Sequence, residues 1–157
     1  MVSKPRDGDH DQVRRMVSLP ADRDTVWRAI GGFGQIAEWH PLIERAELTE
    51  IEGDAYRHLT TVDGELFLER LIEAGPHHLT YEMEDGGPLP VADHRATLSV
   101  VAEPGGCHVY WSALFVPMGA DAHLADEIVG AFYEIGLRAV ADRFGTPSEE
   151  LPDAPAG

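Results

Sequence analysis

Between residues 42 and 116 the chain passes through six short segments of strand character, and only tight turns separate them. The segments are 43–50, 55–62, 66–73, 79–84, 93–102 and 109–116, and the turns are EGD, DGE, AGPHH, DGGPLPV and EPGG. Connections this short join antiparallel neighbours and leave no room for crossover helices. One strand precedes them, QVRRMVSL at 12–19, ended by Pro20. It is followed by ADRDTVWRAIGGFGQIAEWHP. There Asp22 or Asp24 can cap a first helix whose buried stripe is Val26, Trp27 and Ile30, and Gly31 and Gly32 stop it. A shorter helix follows at about 35–39 and closes at Pro41.

After Pro117-Met118-Gly119 comes ADAHLADEIVGAFYEIGLRAVADRF, a helix of about six turns. An acidic first turn and Arg138 and Arg143 near the end suit the helix dipole. Its apolar stripe reads as Leu124, Ile128, Phe132, Ile135 and Ala139. The expected class is α+β: a seven-stranded antiparallel sheet, two short helices after the first strand, and one long C-terminal helix to cover the sheet. A strongly twisted sheet can wrap around such a helix and leave space between.

A length of 157 residues suits one core, placed at 12–144, with 1–11 and the proline- and acid-rich 145–157 expected to be disordered. The formal charge of −16 opposes binding to phosphate backbones or anionic membranes. Lys4 is the single lysine, which argues against Schiff-base chemistry, and the single cysteine, Cys107, permits no internal disulfide or thiolate cluster. No apolar run is long enough to span a membrane and no signal-peptide core opens the chain, so a cytoplasmic location is expected. Serine-nucleophile and P-loop signatures are missing, and GGFG does not follow a parallel strand as a dinucleotide fingerprint would. No cofactor is expected. No metal site is expected either: DGDHD at 7–11 reads as a polar terminus, and His123 and Glu127 lack an HExxH context. His77 and His78 read as exposed turn residues.

Strand alternation puts His94, Ala96, Leu98 and Val100 on one side and Arg95, Thr97 and Ser99 on the other. His94 thus joins an apolar face, directly after a loop stiffened by Pro88 and Pro90. It is either a satisfied strand-end histidine or a polar anchor and acid/base group at a cavity mouth. Tyr81 with Leu79 and Met83, and Trp111 with Val109, Ala113 and Phe115, form apolar stripes that serve as core or as pocket wall. Trp27 reads as plain core; Trp39 and His40 read as packing for the short helices or as an entrance.

The segments VWRAIGGFGQIAEWHPLIERAEL, LERL, GPLPVADHRATLSV and VYWSALFVPMG, followed by the closing helix, resemble the helix-grip (SRPBCC) superfamily. That superfamily includes START lipid-transfer domains, birch-pollen-allergen-like proteins and the polyketide cyclase/dehydrase group. The phrases W-H-P, E-R-L and W-x-x-x-F-x-P-x-G resemble the bacterial polyketide-cyclase-like branch; plant abscisic-acid receptors are a more distant likeness. The resemblance covers about residues 12–144. It implies a sheet gripping the last helix around an apolar pocket, with the loops at 62–65 and 87–91 at its mouth. In the receptor branch the residue corresponding to Glu69 points inward, whereas the strand's own mixed pattern leaves its direction open. Glu44 stands where those receptors carry an inward lysine, so the resemblance points to a neutral or cationic ligand.

The ligand-binding set expected on these grounds is Glu69, Tyr81, Leu89, Val91, His94, Trp111, Phe115 and Phe132. The first function expected is binding of a small hydrophobic molecule, as carrier or sensor. The second is cyclisation or dehydration of a polyketide-like substrate, with His94 as acid/base and Glu69 or Tyr81 polarising a carbonyl or hydroxyl. The third is a partner-binding module using the acidic surface. A sheet edge could also pair in a homodimer.

Overall fold

The computed structural model describes residues 10–119 and 121–145. Its elements are β1 (Asp11–Leu19), α1 (Arg23–Ile30), α2 (Ile36–Trp39), β2 (Ile43–Ile51), β3 (Asp54–Thr61), β4 (Leu66–Ala74), β5 (His78–Asp85), β6 (Val91–Glu103), β7 (Gly106–Pro117) and α3 (Ala122–Phe144). The seven strands form one sheet in the order β1-β7-β6-β5-β4-β3-β2, every neighbouring pair antiparallel. Strands two to seven run as a meander, and β1 returns beside β7, with Asp11 opposite Phe115 and Leu19 opposite Cys107. The two short helices carry the chain from one sheet edge to the other. The expectations for the terminal segments fall on residues 1–9 and 146–157, outside the described residues.

Strand ends agree closely with the alternation in the sequence. The largest difference is β7, which starts at Gly106 rather than 109 because its first residues pair with both β6 and β1. Inward positions of β6 and β7 form the core: Ala96, Leu98 and Val100 on one, Val109, Trp111, Ala113 and Phe115 on the other.

The long helix corrects two expectations. Asp121 lies outside its first turn, as the N-cap, and its carboxylate accepts the Leu124 N–H at 2.8 Å; the first turn itself holds no acid. The buried face is Ala125, Val129, Tyr133, Leu137 and Val140 with Gly130 and Gly136, while Leu124, Ile128 and Ile135 are exposed. Two glycines on that face leave room for side chains from other elements. A Cβ on Gly130 would stand 2.3 Å from Arg15 Nη2, and one on Gly136 would stand 2.5 Å from His40 Cδ2 and 2.9 Å from Trp111 Cζ3. Arg15 Nε also donates to Glu134 at 2.6 Å, tying β1 to α3.

Three smaller corrections follow from local contacts. Asp22 is the N-cap of α1 but caps no backbone N–H; its carboxylate accepts from the Thr25 hydroxyl instead. Trp27 is only half-buried, edge-on to His77 at 6.4 Å. His77 and His78 are half-buried too, paired with Asp24 at 2.7 Å and Glu73 at 3.5 Å.

Candidate active cavity

Between α3 and the concave face of β3, β4 and β5 lies a cavity of about 380 Å³. Its walls are mainly Leu42, Ile43, Leu59, Phe67, Met83 and Val129, and the polar side chains Glu69, Tyr81, His94 and Tyr133 interrupt them. The exposed lining residues mark the mouth: Val62, Asp63 and Glu65 on the β3–β4 loop, and Ile128, Ala131 and Ile135 on α3. The side chains read as the helix's core stripe, Ile128, Phe132 and Ile135, therefore face the cavity instead of the sheet.

The loop at 86–90 is held at both ends. Asp85 Oδ1 accepts the Gly87 N–H at 3.0 Å, Gly86 O accepts the Leu89 N–H at 3.0 Å, and Pro90 O accepts the Met118 N–H at 2.7 Å. Gly87 has φ 54°, and a Cβ there would meet Leu66 O at 2.8 Å, so glycine is required by both conformation and contact. The loop turns Leu89 onto the cavity wall.

His94 owes its direction to a β-bulge. The register of β6 on β7 shifts between Ala92 and Arg95, and Asp93 takes φ 52°. The bulge stacks the His94 ring on Phe115, with centroids 6.0 Å apart and planes 20° apart. His94 is 5% exposed, and its Nδ1 is buried with no hydrogen-bond partner. Burial lowers its pKa from the ordinary histidine value, against an upward pull from the nearby Glu69 charge, so the ring is neutral at neutral pH.

Glu69 points inward, opposite Arg57 in the β3–β4 register. Both are nearly fully buried; Arg57 Nε donates to Glu69 Oε1 at 2.7 Å, and Nη2 forms an ion pair with the same oxygen at 2.7 Å. Arg57 Nη1 donates to Phe33 O at 2.9 Å, and the guanidinium lies 4.5 Å from the ring centroids of both Phe33 and Tyr81. Arg57 was not among the residues singled out from the sequence, where an arginine on a strand reads as surface. Its sequence signal was its place inward of Ala55 and Tyr56 at the same parity as Leu59.

Tyr81 Oη accepts the Trp111 Nε1–H at 3.0 Å, and burial followed by the Glu69 charge raises the Tyr81 pKa, so the phenol stays protonated. Tyr133 stacks on Trp111, centroids 4.3 Å and planes 15° apart, and its hydroxyl is buried without a partner. Burial raises its pKa as well, aided by Tyr81 and Glu69. His40 stands just behind: Nε2 donates to Phe132 O at 2.8 Å, Nδ1 accepts the Leu42 N–H at 3.1 Å, and the ring stacks on Phe132 at 4.1 Å. Burial pulls its pKa down to about 4, in keeping with the neutral tautomer those bonds define.

Of the expected ligand-binding set, Glu69, Tyr81, Leu89, His94 and Phe132 line the cavity. Trp111 and Phe115 stand one layer back, supporting Tyr81, Tyr133 and His94. Val91 is half-buried at the start of β6, beyond the wall. Glu44 is exposed at a bulge of β2, so it does not occupy an inward position. Among the described residues no group of His, Cys, Asp or Glu is arranged to hold a metal ion, and no helix is long and apolar enough to cross a membrane. His123 and Glu127 form an exposed pair at 3.2 Å, and the stretch at 7–11 lies mostly outside the described residues.

A seven-stranded antiparallel sheet closed on a long C-terminal helix over an apolar cavity is the helix-grip fold. Residues 10–145 match the family described as polyketide cyclase / dehydrase and lipid transport, and the chain belongs to that family. Among solved structures it is similar to the protein XoxI from Bacillus cereus: 29% identity, TM-score 0.79, 85% of this chain and 94% of that one covered. A protein from Thermobifida fusca shares 32% identity at TM-score 0.75, over 85% of this chain and 93% of that one. The Zhui aromatase/cyclase from Streptomyces sp. R1128 has the same fold at 17% identity and TM-score 0.68, over 94% of this chain and 99% of that one. No curated protein matches the chain.

Proposed function

We propose that this protein binds a small hydrophobic molecule in the cavity between α3 and the sheet, as a carrier or a sensor. The observation that carries this reading is the cavity itself: about 380 Å³, apolar along most of its wall, and open at one end between α3 and the β3–β4 loop. Cavities in that size range, apolar with a few convergent polar groups, are the usual form of a small-molecule site. The family's description, which includes lipid transport, supports the same class of ligand. Native mass spectrometry of the purified protein is the test. A discrete adduct that leaves on denaturation identifies a cargo and its chemistry. A bare mass, with no thermal stabilisation by any of a panel of hydrophobic metabolites, would overturn the reading.

A second reading, catalysis of cyclisation or dehydration, is favoured by one observation: the neutral imidazole of His94, whose Nδ1 lacks a hydrogen-bond partner, stands on the cavity wall within the field of the Glu69 carboxylate. A neutral imidazole can accept a proton from a substrate carbon or hydroxyl, and the protonated Tyr81 phenol can donate a hydrogen bond to the oxygen where charge develops. Turnover of a polyketide-like substrate that survived His94→Ala would remove His94 from that role.

A further inference from the structure

The cavity has chemistry beyond its shape, and that chemistry narrows the ligand class. Among the described residues Arg57 is the one arginine or lysine buried against the wall, and its charge is already engaged. Two of its nitrogens face Glu69, a third holds the Phe33 carbonyl, and the Phe33 and Tyr81 rings each lie 4.5 Å from the guanidinium. The lining residues include no arginine or lysine, and the acids Asp63 and Glu65 stand at the mouth. A carboxylate ligand would leave water, pass those acids, and find no cation to replace its hydration. A ligand cation would have to settle beside a carboxylate that Arg57 already neutralises.

What the wall does offer is neutral hydrogen bonding. Tyr133 is 2% exposed and His94 5%, and each brings a buried polar atom without a partner, Tyr133 Oη and His94 Nδ1, to a residue that lines the cavity. Rings stacked behind them, Trp111 and Phe115, fix both orientations. Leaving two such groups unpaired in an apolar wall is unfavourable by the desolvation of each, and a ligand oxygen would relieve it.

We infer that the cavity selects neutral, oxygen-bearing hydrophobes, alcohols, phenols or ketones, whose oxygens pair with Tyr133 and His94, and that it discriminates against carboxylic acids. The inference rests on the binding reading above and specifies its ligand.

Four probes of one ring system test it by calorimetry at neutral pH: 2-methylnaphthalene, 2-naphthol, 2-naphthoate and 2-naphthylmethylammonium. The expected order places 2-naphthol about ten-fold tighter than 2-methylnaphthalene, the gain of one good hydrogen bond, and 2-naphthoate at least about ten-fold weaker than 2-naphthol. Tyr133→Phe or His94→Leu should reduce the ratio of naphthol to methylnaphthalene affinity, and cooperative thermal unfolding reports that each variant is folded. If no probe binds, the binding reading itself falls. If methylnaphthalene binds but the naphthoate or the ammonium matches or exceeds naphthol, binding stands and the neutral-oxygen inference is overturned. A naphthol preference undiminished in both variants would overturn the assignment to Tyr133 and His94.

Discussion

His40 shows how one side chain can join chain segments far apart in sequence. It ends α2, supports the start of β2 through the Leu42 N–H, and gives its own proton to a carbonyl of α3. The Leu42 bond needs the neutral ring, because protonation would convert the acceptor Nδ1 into a donor facing a donor, whereas the bond to Phe132 O forms in either state. The folded-state pKa is depressed from 6.5 to about 4, so between those values the unfolded chain binds a proton that the folded chain refuses. Stability therefore decreases as pH falls through this window, by up to about 3 kcal/mol from this residue when both states are protonated. Above pH 6.5 the contribution no longer changes. Carboxylates titrate in the same range, so the measurement is a difference. Urea unfolding of the wild type and of His40→Gln at several pH values should give the variant a shallower slope of stability against pH from 6.5 to 4. Equal slopes would mean that His40 is protonated in the fold as readily as in the unfolded chain.

At the scale of elements, α3 carries two apolar faces with different work. Val129 is buried in the core, where it also forms part of the cavity wall, whereas Ile128, its neighbour, is 36% exposed at the cavity mouth. Val129→Ala should destabilise by roughly 1–2 kcal/mol, the loss of buried methyl groups and the gap they leave. Ile128→Ala should change stability by less than about 0.5 kcal/mol and weaken binding of 2-methylnaphthalene. Thermal unfolding and calorimetry of both variants check this, and the reverse pattern would exchange the two faces. The same helix shows where the sequence was readable and where it was not. Its length and limits follow from caps and periodicity, but aliphatic size does not mark the core face. Ile128 and Ile135 line the cavity, while Gly130 and Gly136 meet Arg15, His40 and Trp111. Strands were easier, because alternation has only two outcomes; His94, Ala96, Leu98 and Val100 are all buried as their spacing implied. Arg57 and Tyr133 escaped notice for opposite reasons. An arginine on a strand reads as solvated unless its partner across the register is known, and a tyrosine on a helix reads as packing until its hydroxyl is seen to lack a partner.

At the scale of the molecule, the charge of −16 and the neutral cavity both act against anionic ligands, but over different distances. The net charge is a long-range field and salt screens it, with a Debye length of about 30 Å at 0.01 M and about 6 Å at 0.3 M. The missing cation in the cavity is local, and screening barely touches it. Raising NaCl from about 10 mM to about 300 mM should therefore raise the melting temperature by a few degrees, as self-repulsion fades. A fall would mean that surface pairs such as Arg70 with Glu82, and Arg95 with Glu82, outweigh the net repulsion. The same change in salt separates the two sources of selectivity. If the field excludes 2-naphthoate, its affinity should approach that of 2-naphthol at high salt. If the wall excludes it, most of the gap should persist, and that is the expected result, because Arg57 remains bound to Glu69 whatever the ions outside.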